Sequence, residues 1–445
     1  MQFAPTALQL TAKGCKKKQK MKTITNPNKT DWSELTKRPT KSIESLDTIV
    51  KQVFAEIQSK GDEAIQKYTH FFDRVDVEDF IVKTAVIAEA KNTISEKLKE
   101  AICLAKDNIE KFHLSQKEEK KVIETVPGVQ CWREARAIEK VGIYIPGGSA
   151  PLFSTVLMLG VPAKIAGCKE IVLCTPPDKN GNINPAILFA AELVGVTKVV
   201  AAGGIQAIGG LTFGTESIPK VDKILGPGNQ FVTAAKQMAQ SYGVAIDMPA
   251  GPSEVLVITD ESCVPAYVAA DLLSQAEHGP DSQVILLSTN EEVVNQIIEQ
   301  VEVQLEELPR KEITAKALEN SRFIVLSSLE ESIEFSNLYA PEHLILATEK
   351  ANQLIDKIQN AGSVFIGNYS CESAGDYASG TNHTLPTNGY ARNYSGVSLD
   401  TFYKKITFQQ LSKEGLNSIG WAIEQMAEAE GLQAHKNAVS IRLRN

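Results

Sequence analysis

The chain has 445 residues, 43% of them apolar and 22% charged, and carries a net charge of −8. That length is about three times a common domain, so two or more domains are expected. The acidic balance argues against a nucleic-acid binder, which would present a basic face, and no apolar run is long enough to cross a bilayer.

Residues 1–20 hold five lysines and no acid, and lack the continuous apolar stretch of a secretory signal. Met21 opens a natural-looking start, so 1–20 is expected to be a disordered or spurious extension and 21–41 an N-terminal arm. From 42 to 135 the pattern is helical, with 46–60 and 86–112 showing charged faces and 3.6-residue spacing. His70 and His113 sit in charged, helix-like surroundings and read as surface residues. Charge density then drops at Val141-Gly-Ile-Tyr-Ile-Pro-Gly-Gly148, and short β-branched runs alternate with apolar helices. The strand candidates are 170–174, 198–202, 223–225, 254–259, 283–287, 322–326 and 363–366. Each is short and nearly all apolar, as in parallel βα units buried on both faces, which predicts an α/β architecture. After about residue 390 the sheet pattern ends. Residues 412–430 read as a helix stopped by Gly431, with a polar tail beyond it too short to bury a core.

Glycines cluster behind the strand candidates at 147–148, 203–204, 209–210 and 226–228, where backbone amides can approach a phosphate. The same glycines also suit tight turns, and no GxGxxG with a following acid appears. Seven cysteines without a CxxC pair predict reduced thiols in a cytoplasmic protein. Cys174, in an apolar strand, reads as a small core residue.

The chemistry concentrates in the second half. Residues 265–276 predict a helix that begins at Pro265 and is stopped by Gly279-Pro280. Gln275 and His278 then become i, i+3 neighbours in its last turn, where unpaired carbonyls favour a cation. By pattern alone, an exposed helix-end histidine is the plainer reading, and Glu342-His343 after Pro341 is a surface dipeptide. His383 lies seven residues beyond Asp376, and His435 follows Glu430 in the tail. On these residues a zinc hydrolase, a dehydrogenase of another small alcohol, or a metal-binding protein without activity all stay open.

Taken together the motifs closely resemble histidinol dehydrogenase. They are Val141 to Gly148, Leu225-Gly-Pro-Gly-Asn229, Met248-Pro-Ala-Gly-Pro-Ser-Glu254, Gln275-Ala-Glu-His-Gly-Pro-Asp281, Ala340-Pro-Glu-His-Leu344, the run from Ala374 through Asp376 and His383 to Pro386, and Ala434-His-Lys-Asn-Ala438. They stand in family order from about residue 35 to the end. The resemblance implies oxidation of L-histidinol to L-histidine through the aldehyde, with two NAD+ and one zinc per subunit. It implies zinc ligands at Gln275, His278, Asp376 and His435, and an acid/base pair at Glu342 and His343. Substrate would also meet Ser253, His383 and Glu430, and NAD+ would meet Tyr144, Gln206 and Asn229. The implied fold is two incomplete Rossmann-like domains with a helical N-terminal region. One domain takes 42–143 with 253–397, and the NAD-binding one takes 144–252. The tail, 398–445, would pack on the partner of a homodimer and complete its active site. No nucleic-acid or membrane partner is implied.

Overall fold

Fourteen strands organise the described residues of this computed structural model, which are 21, 23–39, 44–147 and 151–444. The expected extension at 1–20 lies outside them. β1 (Thr23–Thr25) belongs to the N-terminal arm, and β2 (Val122–Val126) and β3 (Val129–Ala137) form a hairpin. A first parallel set follows: β4 (Lys140–Tyr144), β5 (Glu170–Thr175), β6 (Lys198–Ala201), β7 (Lys223–Leu225) and β8 (Ala245–Ile246). The second is β9 (Glu254–Thr259), β10 (Gln283–Ser288), β11 (Arg322–Val325), β12 (His343–Ala347) and β13 (Ser363–Ile366), and β14 (Tyr403–Leu411) comes last.

The sets make two parallel sheets, ordered β6-β5-β4-β7-β8 and β1-β11-β10-β9-β12-β13. In each, the first strand of the set is central and the winding reverses beside it, the doubly wound α/β pattern. Strands β9, β10 and β12 are buried at every position, which is why their sequences run almost wholly apolar. Each expected strand is present within a residue of its reading. Four parallel strands were not among the candidates: β1, β4, β8 and β12, the last of which begins with His343 behind a charged dipeptide at its entry.

Two expectations about the ends fail for one reason. Helical pattern was read through residue 135 and no sheet after 390, yet β14, β3 and β2 form an antiparallel sheet. Its residues are mostly exposed or half-buried on both faces, so it carries no apolar run that would reveal a strand. The helix expected over 86–112 is two helices, Thr84–Ala90 and Glu96–Leu114, the second capped by Ser95 through the Leu98 N–H. His113 is not a surface residue. It is fully buried, with Nδ1 on the Ile109 carbonyl at 2.8 Å. His70 is exposed as read, but it has an acidic partner, Asp76, at 2.7 Å.

The helices Glu44–Lys60, Asp62–Asp73 and Glu96–Leu114 contribute Val50, Phe54, Ile57, Ile65 and Ile109 to the core beneath the five-stranded sheet, with Ile143 and Leu157. The cores around the six-stranded sheet contain no residue of these helices. The C-terminal helix Lys413–Ala429 is capped by Ser412 and ends at Gly431 with φ +74°, as read. A further helix, Gln433–Leu443, follows, where only a polar tail was expected. The six described cysteines are unpaired.

The N-terminal arm is tied into the second sheet by charge. Arg38 Nε lies 2.5 Å from Glu254 Oε1, and a second guanidinium nitrogen lies 2.9 Å from Oε2. That nitrogen also donates to the Tyr339 carbonyl at 2.8 Å, and the guanidinium stacks 3.9 Å above the Tyr339 ring. The Glu254 side chain is 3% exposed, so Arg38→Met strands a buried carboxylate. The expected loss is roughly 3–5 kcal/mol of unfolding free energy, measured by urea denaturation against wild type.

Candidate active site

A cavity of about 670 Å³ opens between opposite edges of the two parallel sheets. From the five-stranded sheet it receives the C-terminal edge: Pro146 beyond β4, and Gly226, Pro227 and Asn229 beyond β7. From the six-stranded sheet it receives the N-terminal edge: Ser253 before β9, Ser282 before β10, and Glu342 with His343 at the entry to β12. Loop ends thus converge from two rigid scaffolds, where reactive side chains are usually presented.

Glu342 and His343 are 7% and 3% exposed, so the surface reading of this dipeptide does not hold. Parallel pairing of β12 with β9 brings both against the backbone of Glu254. The Glu254 N–H donates to Glu342 Oε2 at 2.9 Å, and the Glu254 carbonyl faces His343 Nδ1 at 3.1 Å. A carbonyl only accepts, so Nδ1 carries a proton, and in the neutral ring Nε2 is the nitrogen with a free lone pair. That Nε2 is buried, has no hydrogen-bond partner, and points toward Asp376 Oδ1 at 3.7 Å. In its neutral form the ring has the arrangement of a general base, and a cation among the neighbouring carboxylates would favour that form.

Beside it, single donor atoms of His278, Glu372 and Asp376 all lie within 4.8 Å of one another. His278 sits just past the helix Pro265–Ala276 rather than in its last turn, with Glu277 as the C-cap. It faces the open cavity, while Gln275 is buried. Turned one way, the Gln275 amide nitrogen donates to Glu342 Oε2 at 3.3 Å, and its oxygen confronts an oxygen of Glu372. Turned the other way, the nitrogen donates to Glu372 and the oxygen accepts from the Glu254 N–H at 2.9 Å. The second arrangement satisfies both ends of the amide. His383 completes the wall, with Nε2 2.9 Å from Thr155 Oγ1 and Nδ1 2.8 Å from the Asp376 carbonyl.

Burial pushes the Glu342 carboxyl up to about 8, against the pull of His343 and the Glu254 N–H. Glu372 is pushed well above the carboxylate range, chiefly by burial. For His343 burial opposes the charge, but Glu342, Glu372 and Asp376 outweigh it and raise the imidazole to about 10. His278, although open to the cavity, is lowered chiefly by desolvation from the protein packed around it, which favours the neutral, metal-ligating ring. Burial works to raise Asp376, yet His343 beside it and the nearby His383 and His278 hold it low. Positive charge brought into this cluster would lower every carboxyl in it.

Not every expected residue meets the cavity. Ser253, Gln275, His278, Glu342, His343, Asp376, His383 and Asn229 line it, whereas Glu430 and His435 do not. Tyr144 and Gln206 are buried behind it: the Tyr144 hydroxyl accepts from the Gly204 N–H at 3.1 Å, and Gln206 Nε2 donates to Asp73 Oδ2 at 2.9 Å.

Residues 36–443 match the family model described as histidinol dehydrogenase. The chain belongs to the histidinol dehydrogenase family. It is 59% identical to the histidinol dehydrogenase of Bacteroides thetaiotaomicron over 423 residues, covering 95% of this chain and 99% of that one. The Escherichia coli K12 protein of the same name is 54% identical over 402 residues, covering 90% and 92%. A crystal structure of histidinol dehydrogenase from Elizabethkingia anophelis superposes with a TM-score of 0.94 at 64% identity, covering 95% and 98%. As a member of this family the chain is an oxidoreductase of histidine biosynthesis.

The residue missing from the sequence reading of this histidinol dehydrogenase family site is Glu372. Its signal was present: Glu372 and Asp376 are i, i+4 neighbours on the short helix Glu372–Tyr377. Behind it Asp271, 9% exposed, accepts the Glu372 N–H, and burial lifts its carboxyl from 3.8 to about 7. A carboxyl raised in the fold costs nothing below the unfolded value and its full penalty above the folded one. Asp271→Asn should therefore raise the thermal midpoint at pH 8 and leave it unchanged at pH 3.5, read by circular dichroism. An unchanged midpoint at both pH values would contradict the burial argument.

Proposed function

We propose that the protein carries out the four-electron oxidation of L-histidinol to L-histidine through L-histidinal, reducing two NAD+, as the final steps of histidine biosynthesis. One observation carries this reading. The orphaned Nε2 of His343, its Nδ1 tied to the Glu254 carbonyl, sits beside a cluster of cation donors. Imidazole, amide and carboxylate donors are the set that suits zinc, and His278, Glu372 and Asp376 bring donor atoms within 4.8 Å of one another there. Gln275, His278 and Asp376 would hold it, with His435 of a second subunit. Bound zinc would orient the imidazole and amine of histidinol, and NAD+ would accept hydride.

The chain's own groups do the proton work. His343 Nε2 takes the alcohol proton as hydride leaves the carbon. Glu342, buried and fixed by the Glu254 N–H, then takes a proton from the water that hydrates the aldehyde. His343 takes the hydrate's hydroxyl proton in the second oxidation. Ser253 and His383 would hold substrate, and Tyr144, Gln206 and Asn229 the cofactor, so residues 144–252 read as its domain. The wild type should form two NADH per L-histidinol, followed by absorbance at 340 nm. Glu342→Gln should stall nearer one, accumulate L-histidinal and fail to oxidise added L-histidinal. Equal loss of both steps would end this division of roles.

The active site would be shared across a homodimer. Glu430 and His435 are not among the residues that line the cavity of their own chain, and the C-terminal segment that carries them exposes Trp421, Met426, Leu432 and Ile441. Such an apolar surface suits a tail that crosses to a partner in a two-fold dimer. Mixing inactive His278→Ala and His435→Ala proteins and letting subunits exchange should restore activity, because one site of each mixed dimer is then intact. Verified mixed dimers without activity would show that each tail serves its own chain.

A further inference from the structure

The loop that follows β7 is gripped by an ion pair that the reaction scheme leaves unused. Lys236, on the helix Gln230–Gln240, and Asp247, just past β8, have side chains 3% and 1% exposed, with 2.5 Å between Nζ and Oδ1. Both reach Gly226. Its N–H donates to Asp247 Oδ2 at 2.8 Å, and its carbonyl accepts from Lys236 Nζ at 2.7 Å. Asp247 Oδ1 also accepts the Met248 N–H at 2.7 Å. A closed ring of charge-assisted bonds, the strong kind, therefore surrounds one glycine.

That glycine is at a demanding point. Gly226 has φ +127°, and a Cβ there would stand 2.1 Å from the Tyr144 carbonyl oxygen, so the loop lies flush against the end of β4. β4 and β7 are the neighbours between which the winding of this sheet reverses, the crevice where α/β sheets take nucleotides. The loop then turns through Pro227 and Gly228 to Asn229, whose Oδ1 caps the next helix by accepting the Phe231 and Val232 N–H groups at 3.0 and 3.1 Å. Gly226, Pro227, Gly228 and Asn229 all line the cavity. A buried ion pair adds little stability over an apolar pair of similar volume. What this one supplies is geometry, since it holds both backbone polar groups of a single residue, and so the peptide units on either side of it.

We propose that the Lys236–Asp247 pair is the positioning element of the dinucleotide site, fixing residues 226–229 against β4 so that a pyridine dinucleotide can lie on them. The inference rests on the NAD+ reading above. Two variants test it in the full-length protein: Lys236→Met removes the grip on the Gly226 carbonyl, and Asp247→Asn keeps an acceptor for the N–H but removes the charge. NADH dissociation constants come from its fluorescence, and KM and kcat from steady-state oxidation of L-histidinol. Both the NADH dissociation constant and KM for NAD+ should rise about tenfold or more, the worth of one hydrogen bond to a charged group. The kcat at saturating NAD+, KM for L-histidinol and zinc content should not change. Folded variants that bind NADH like wild type, with only a lowered thermal midpoint, would reduce the pair to structural support and overturn the proposal. Wild type that binds no NADH at all would instead sink the cofactor reading. Amide exchange in wild type needs no variant: the Gly226 N–H should exchange as slowly as the sheet amides before any cofactor is added. A freely exchanging Gly226 overturns the proposal too.

Discussion

The backbone of one residue, Glu254, organises the acid/base chemistry. Its N–H holds the Glu342 carboxylate and its carbonyl faces His343 Nδ1, so the backbone of a single residue orients two reacting groups. Nothing in that arrangement is adjustable without shifting a buried strand, because β9 lies between β10 and β12 in the sheet. The Glu254 side chain is held in turn by Arg38 and by the Asn388 N–H at 2.8 Å. An arm from the start of the chain and a loop from its last quarter thus brace the same residue. Preorganisation of this kind keeps a base aimed before substrate arrives.

The second constraint is the opposition of the sheets. An α/β sheet ordinarily binds ligands beyond the C-terminal ends of its strands. The five-stranded sheet does so here, while the six-stranded sheet offers the other edge. At the C-terminal end of β9, Asp260 is engaged by Ser262 and by Thr348 Oγ1 at 2.5 Å, so that crevice is tied by the chain's own groups. Turning the second sheet around brings the starts of β9 and β12 to face the loops after β4 and β7. Cofactor loops and proton-handling residues then share one cleft.

Charge inside that cleft is unbalanced. Glu342, Glu372 and Asp376 surround His343 and His278, and burial penalises each carboxylate. Low dielectric makes such a cluster costly unless positive charge enters it. The same imbalance that weakens the fold locally makes the site receptive to a cation and tunes its acids toward neutrality.

Most of the parallel strands were legible because burial on both faces writes an apolar run into the sequence, and the helix Pro265–Ala276 because proline and glycine mark its ends. The antiparallel sheet was not, since strands exposed on both faces carry no such run. Motif order determined the family and named Glu342, His343, His278 and Asp376. Glu372 went unnamed because i, i+4 acids on a short helix look like any solvated face until the fold buries them. The tertiary structure alone decided that Glu342 and His343 are buried, which nitrogen of His343 is free, and that His278 stands beside Asp376. Those facts depend on strand pairing between segments almost ninety residues apart, and no local pattern encodes contacts at that separation.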